Sequence, residues 1–237
     1  DSSPSRGLGD VYKRQQYAKV NGDFLVKRPK DLTSKQAMIM GTAGLTALQC
    51  AFTAKTAKEE LLLGEKVENV IVTGASGGVG SIAVMILNKL GCNVTAVTSK
   101  ESNKEYLKSI GAKNIINTGD LNKDSRPLDK GLWDGAVDTV GGQVLANVLA
   151  QTKEAGIVAA CGNAADIKLN TTVMPFIIRG VKLWGINSVN TSIKRRQFLW
   201  DEASKLVNFD LLGHSIKEIN LEELIAVSYT HLTLPTT

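Results

Sequence analysis

At 237 residues, 43% of them hydrophobic and 22% charged, the chain is long enough for one full domain and part of a second, and too apolar for a disordered segment. Its formal charge of +5, from 28 basic and 23 acidic residues, comes from interleaved signs; it describes a mixed solvated surface and argues against a nucleic-acid-binding stripe. Cys50, Cys92 and Cys161 are far apart and form no Cys-x-x-Cys pair, while His214 and His231 have no cluster of thiols or acids around them, so a zinc-ligand pattern, a disulfide framework and a Ser-His-Asp triad are all unsupported.

No unbroken apolar run approaches the roughly 20 residues that cross a bilayer, and the polar start from Asp1 to Arg6 lacks the apolar centre of a signal peptide. The expectation is a cytoplasmic protein with no membrane or nucleic-acid partner. Residues 1–15 show no apolar periodicity and, together with residues 227–237, read as adaptor-derived sequence foreign to the fold.

Tyr17 to Val26 alternates and predicts one or two strands ending at Pro29. Leu32-Thr33-Ser34 offers an N-cap, Lys35 to Met40 opens a helix, and Gly41-Thr42-Ala43-Gly44 interrupts it. A second helix runs from Leu45 to about Lys55, and Glu59 to Glu68 is polar. Strand and helix then alternate. Val70 to Thr73 predicts a strand, Ser81 to Leu90 a helix, Asn93 to Val97 a strand, Ser102 to Ile110 a helix, and Asn114 to Ile116 a short strand. Gly135 to Val140 predicts a strand, Gln143 to Gln151 a helix, Gly156 to Ala160 and Val181 to Ile186 strands, and Ile193 to Val207 a helix. The fold class is therefore α/β, a Rossmann-type doubly wound parallel sheet with helices on both faces.

The chemistry is concentrated where Val70-Ile71-Val72-Thr73 runs into Gly74-Ala75-Ser76-Gly77-Gly78-Val79-Gly80 and a helix follows at once. In such a turn Gly74 permits the bend off the strand, Gly77 lets the backbone approach a pyrophosphate, and Gly80 lets the helix pack on the strand. The helix start offers free N–H groups and partial positive charge to phosphate. An NAD site places an acid about twenty residues on, at the end of the second strand, to hold the ribose hydroxyls. Thr98-Ser99-Lys100 stands there instead: two hydroxyls and a cation suited to a 2′-phosphate, with Glu101 one position later. NADPH is the expected cofactor. The plainer readings are a glycine turn with no ligand and a solvated loop lysine. A cation present where the acid is missing favours the cofactor.

These residues resemble the medium-chain dehydrogenase/reductase superfamily, and within it the zinc-free acryloyl-CoA reductase and quinone oxidoreductase branch. The resemblance rests on Gln36 to Gly44, Val72 to Gly80, Glu105 to Ala112, Ser125 to Leu128, Asp138 to Gly141, Ala159 to Gly162 and Thr172 to Phe176. It covers about Tyr17 to Ala226. It implies that residues 16–30 are the remnant of a β-rich, GroES-like catalytic domain and that residues 31–226 are the NADPH-binding domain. It further implies that Ser76, Gly77, Gly78 and Val79 hold the pyrophosphate and that Thr98, Ser99 and Lys100 hold the 2′-phosphate. Thr42, Asn163, Ile177 and Ser188 would line the nicotinamide half, and Thr139 would sit in a turn beside the cofactor. Where zinc-dependent relatives have a metal-ligand cysteine, Gly41-Thr42-Ala43-Gly44 has none, so no metal is expected. The implied activity is reduction of an electron-poor C=C bond, in acryloyl-CoA or a similar enoyl thioester, by a possible homodimer. A quinone reductase is one alternative and a non-catalytic NADPH-binding module is another. No catalytic residue can be assigned from the sequence.

Overall fold

The computed structural model describes residues 19–56, 66–124, 126–220 and 223; the expected foreign ends, 1–15 and 227–237, lie outside them. Six short segments rich in Val, Ile and Ala pair side by side: β1 (Asn69–Val72), β2 (Asn93–Thr98), β3 (Asn114–Asn117), β4 (Trp133–Asp138), β5 (Thr152–Ala160) and β6 (Lys182–Gly185). Every pairing is parallel, in the order β3-β2-β1-β4-β5-β6. This is the doubly wound order of two mononucleotide-binding halves, with its reversal between β1 and β4.

The helices are α1 (Ser34–Lys55), α2 (Gly78–Lys89), α3 (Lys104–Ser109), α4 (Thr118–Leu121), α5 (Gly142–Ala150), α6 (Met174–Arg179) and α7 (Ile193–Leu206). Alternate strand residues face opposite layers. Val70, Val72, Val94, Ala96 and Val137 pack with Leu48, Ile86 and Leu199 of α1, α2 and α7. Ile71, Val97, Ala136 and Val158 pack with Val144, Val148 and Leu149 of α5 on the other face. The four central strands β2, β1, β4 and β5 are thus buried on both sides, and the carboxyl ends of the strands are left open to carry loops.

Helix α1 starts with a capping box: Thr33 Oγ1 accepts from Gln36 N at 3.2 Å and Gln36 Oε1 accepts from Thr33 N at 2.8 Å. The two helices expected from the sequence run into one another here, joined across a kink at Gly41, whose φ of 43° and ψ of −143° are not helical. Joined, they make one apolar helix of 22 residues, long enough by length and composition to cross a membrane. That corrects the expectation that no apolar stretch approaches this length. Its apolarity follows from its place in the core, since every residue from Gly44 to Ala51 is buried.

Three further expectations need correction. Among described residues 19–26 no strand forms. Gly22–Phe24 is a single 3-10 turn capped by Asn21, whose side chain accepts from Asp23 N at 3.0 Å. Val20, Phe24 and Leu25 are exposed there and find no neighbouring strand. The strand expected to reach Val140 stops at Asp138, because Asp138 turns its carboxylate onto the loop that follows. The helix expected from Ser102 begins as a 3-10 turn and becomes α-helical only at Lys104. Helices α4 and α6 were not expected.

Candidate dinucleotide site

The three glycines of the turn after β1 do different work. Gly74 has φ +58°, and a Cβ on it would lie 2.2 Å from Thr139 Oγ1, so a side chain is excluded on both grounds. Gly80 has ordinary helical geometry, but a Cβ there would meet the Gly74 carbonyl oxygen at 2.3 Å and Ala75 Cα at 2.7 Å, and both are backbone. Its bareness lets α2 lie against the turn. Gly77 differs from both. It caps α2 with φ −80° and ψ 173°, extended geometry open to any residue, and it is solvent-exposed. A Cβ on it would approach only the Gly74 oxygen, at 3.3 Å. Folding makes little demand for glycine at position 77.

The turn is fixed to its neighbours. Ala75 N donates to Val97 O at 3.0 Å, Gly77 N to Gly74 O at 3.0 Å, and Ser81 N to Gly77 O at 2.9 Å. No side chain caps α2, so the N–H groups of its first turn are open to an outside acceptor. Beside them a groove of about 390 Å³ is lined by Lys35, Met38 and Ala43 of α1, Gly78 and Ser81 of α2, and the segment 212–218. Ala43 Cβ lies 3.5 Å from where a Cβ on Gly78 would sit, and exposed Thr42 is its neighbour in the chain. Val79 packs its side chain against the core, so only its backbone can face a ligand.

At the end of β2, Thr98 is only 4% exposed. Its hydroxyl lies 3.4 Å from Ser76 Oγ and accepts from Lys100 N at 3.2 Å. Thr98 therefore ties the glycine turn to the β2 loop. Ser99 and Lys100 are the groups left exposed. Lys100 forms no ion pair among the described residues, and Glu101 turns to Lys104 at 2.5 Å. The acid next in the chain is thereby occupied, and the ammonium of Lys100 is not.

Across the switch point, Asp138 is fully buried at the end of β4. It accepts from Thr73 Oγ1 at 2.6 Å and from Gly141 N at 2.9 Å. Burial pushes its carboxyl above the usual carboxylate range, while the bonds from Thr73, Gly141 and Val140 pull the other way. Thr139 completes the clasp: its N–H donates to Thr73 Oγ1 at 3.0 Å and its hydroxyl to Thr73 O at 3.0 Å. The turns after β1 and β4 are thus locked together by Thr73, a residue the sequence alone did not single out; the signal was a hydroxyl at the last position of a strand leading into a glycine turn. Gly141 lies against Asn163, whose Cα would be 3.1 Å from a Cβ there. Ser188 follows β6. Ile177, on α6, is 71% exposed. The structure brings Gly74, Ser76, Thr98 and Thr139 together, sets Thr42 and Asn163 beside them, and carries Ile177 on α6 and Ser188 on the loop after β6.

A zinc ion does not fit these residues. No group of three or more His, Cys, Asp or Glu side chains gathers among the described residues. Cys161 donates weakly to Asp138 O at 3.5 Å, and the Cys50 thiol is pushed far up by its contact with Cys161 and by burial. Both oxygens of Asp138, the nearby acid, are already taken. Two thiols that no third His, Cys, Asp or Glu side chain joins among the described residues are a poor donor set for zinc.

A doubly wound sheet with an open glycine cradle at its switch point defines a Rossmann dinucleotide-binding fold. The profile of the family described as zinc-binding dehydrogenase matches residues 78–205. The chain belongs to this family of medium-chain oxidoreductases. It is 47% identical over 208 residues to AcuI of Escherichia coli K12, a candidate acrylyl-CoA reductase, covering 88% of this chain and 63% of that protein. It is 42% identical over 210 residues to YhfP of Bacillus subtilis, a candidate quinone oxidoreductase, covering 88% of this chain and 62% of that one. The solved YhfP structure, with NAD bound, superposes at TM-score 0.80 and 41% identity over 91% of this chain and 65% of that one. The YhdH oxidoreductase of Salmonella enterica, solved with NADP, superposes at TM-score 0.83 and 46% identity, again over 91% and 65%. The chain spans a little under two thirds of the length of these relatives.

Proposed function

We propose that residues 31–226 form the cofactor-binding domain of an NADPH-dependent, zinc-free reductase of electron-poor C=C bonds, with acryloyl-CoA or a similar short enoyl thioester as substrate. The observation that carries this reading is Gly77, which is bare, exposed and conformationally unconstrained at the uncapped start of α2. A glycine that folding hardly requires, placed where helical N–H groups point outward, suits a phosphate that must come close. Residues 16–30 read as the tail of a catalytic domain, and the setting is cytoplasmic, as is ordinary for bacterial enzymes of this kind.

NADPH, when bound, supplies a hydride to the β-carbon of such a substrate. Ser76 and the N–H groups of Gly77, Gly78 and Val79 would hold the pyrophosphate, and Ser99 and Lys100 the 2′-phosphate. The Asp138–Thr73–Thr139 clasp keeps the two halves of the crevice in register, which is what fixes a cofactor ring against an acceptor.

Incubation with NADPH and acryloyl-CoA should consume NADPH only when both are present. Consumption with a quinone and not with the thioester would shift the reading to a quinone reductase, which the likeness to YhfP favours. Tight NADPH binding with neither acceptor turned over would leave a binding module.

The cofactor choice turns on Lys100. NADPH should bind more tightly than NADH in calorimetry, and Lys100→Ala should remove most of that preference. A charge-assisted bond contributes about 1.5–3 kcal/mol, roughly ten- to a hundredfold in Kd. Equal affinities for the two cofactors in the parent would sink the assignment, and the NAD in YhfP makes that outcome a serious rival.

The proposal includes a homodimer. Strand β6 is an outer strand of the sheet, with Leu183 37% and Trp184 54% exposed. An open, apolar edge is a template for pairing with a second chain. A sedimentation profile that stays monomeric at micromolar concentrations would refute the dimer.

A further inference from the structure

The chain between β6 and α7 has no regular structure, yet it is tied down from two sides. Arg196, in the first turn of α7, folds back over it. Its Nε donates to Thr191 O at 2.9 Å, and its Nη2 donates to Ser188 O at 2.7 Å and Val189 O at 2.8 Å. On the other side Thr191 Oγ1 donates to Gln49 Oε1 of α1 at 3.2 Å. Within the loop, Asn187 Oδ1 accepts from Val189 N at 3.0 Å and Asn190 N at 3.4 Å. At the loop's root Ile186 N donates to Ala160 O at 2.8 Å, beside the end of β5.

This arrangement is more than a loop needs merely to close. Arg196 forms no ion pair among the described residues, so its charge is directed entirely at carbonyl oxygens. A planar guanidinium presents its N–H groups in a rigid fork that holds three of them in one fixed geometry, whereas an ammonium is a compact group with rotatable donors. Gln49 is 5% exposed, and its Nε2 has no partner among the described residues. If Thr191 let go, the whole carboxamide would be bare, at a desolvation cost. The loop held in this way projects from the carboxyl end of the sheet on the β4–β6 side, opposite the glycine turn, where the second mononucleotide of a dinucleotide lies.

We propose that Arg196 is a positioning residue, which shapes loop 187–191 into the wall of the cofactor site on its nicotinamide side. This inference rests on the dinucleotide reading above. Its test separates the two halves of the ligand. NADPH reaches both mononucleotide halves, whereas adenosine 2′,5′-bisphosphate carries only the adenosine and its phosphates and stops at the glycine-turn side. Arg196→Ala should weaken NADPH roughly tenfold, the loss of about one charged hydrogen bond's worth of order, and leave the bisphosphate within about twofold. Arg196→Lys should recover part of the loss. Thr191→Val, which cuts the Gln49 tether and spares the guanidinium, should reproduce the same selective pattern. Equal loss of both ligands in both variants, in step with a lower melting temperature, would make Arg196 a scaffold residue only and overturn the inference. Unchanged NADPH affinity would overturn it too. A parent protein that binds neither ligand would instead overturn the dinucleotide reading, and this inference with it.

Discussion

Gly77→Val should weaken NADPH by at least about a hundredfold and lower the melting temperature by no more than roughly 4 °C. The two effects separate because Gly77 sits at φ −80° in extended geometry, exposed, with only the Gly74 oxygen near a would-be Cβ. Valine can take up that backbone. Its costs to folding are a poorer N-cap residue and a small adjustment against the Gly74 carbonyl, together about 1 kcal/mol. A ligand has no such latitude, since the isopropyl group fills the space a phosphate oxygen needs above the first turn of α2. The rival view makes Gly77 a relief of backbone strain. It predicts a large drop in melting temperature, with residual binding following the folded fraction. Both quantities are measured on one sample by thermal melting and calorimetry. A variant that melts like the parent and binds NADPH as well as the parent would place the phosphates elsewhere and remove the basis for the proposed function.

The alternation of strands and helices from Val70 onward was legible because each strand is a short apolar run and each following helix has a marked start. Parallel order follows from that alternation, since a crossover helix returns the chain to the same end of the sheet. What the sequence could not show is the division of labour among the glycines. Thr139, which makes Gly74 obligatory, is far along the chain, and only the pairing of β1 with β4 brings the two together. The same distance hid Thr73. Tyr17 to Val26 misled for the converse reason: alternation marks a strand only if another strand lies beside it, and residues 19–26 have none among the described residues. Strand β5 was expected from Gly156 but starts at Thr152, because Ala155 takes a φ of 58° and the chain passes through an irregularity in its pairing with β4 before it resumes. Within that added stretch Lys153 is ion-paired with buried Asp134 at 3.2 Å. Helix α6 had its signals, Pro175 in its first turn and Gly180 at its left-handed end, but six residues give too little periodicity to register.

Gly80→Ala should show the opposite pattern from Gly77→Val: a large loss of stability, with binding lost only as the folded fraction falls. A single added methyl would stand 2.3 Å from the Gly74 oxygen and 2.7 Å from Ala75 Cα, and neither can swing aside as a side chain could. Relief requires α2 to move off the turn. But α2 is bound into the core by Ile82, Ala83, Ile86 and Leu87, all buried, and close-packed interiors resist such a shift. Overpacking of this kind costs about 3 kcal/mol at the upper end of its usual range, a fall in melting temperature of roughly 6–12 °C for a chain of this length. The folded remainder keeps its glycine cradle at Gly77 and Gly78, so NADPH affinity per folded molecule should change little, and saturating NADPH should raise the melting temperature by linkage as in the parent. A Gly80→Ala protein that melts with the parent would show that the close approach of α2 to the turn is not what this glycine serves. One that keeps its melting temperature and loses NADPH would move the phosphate contact from Gly77 to Gly80.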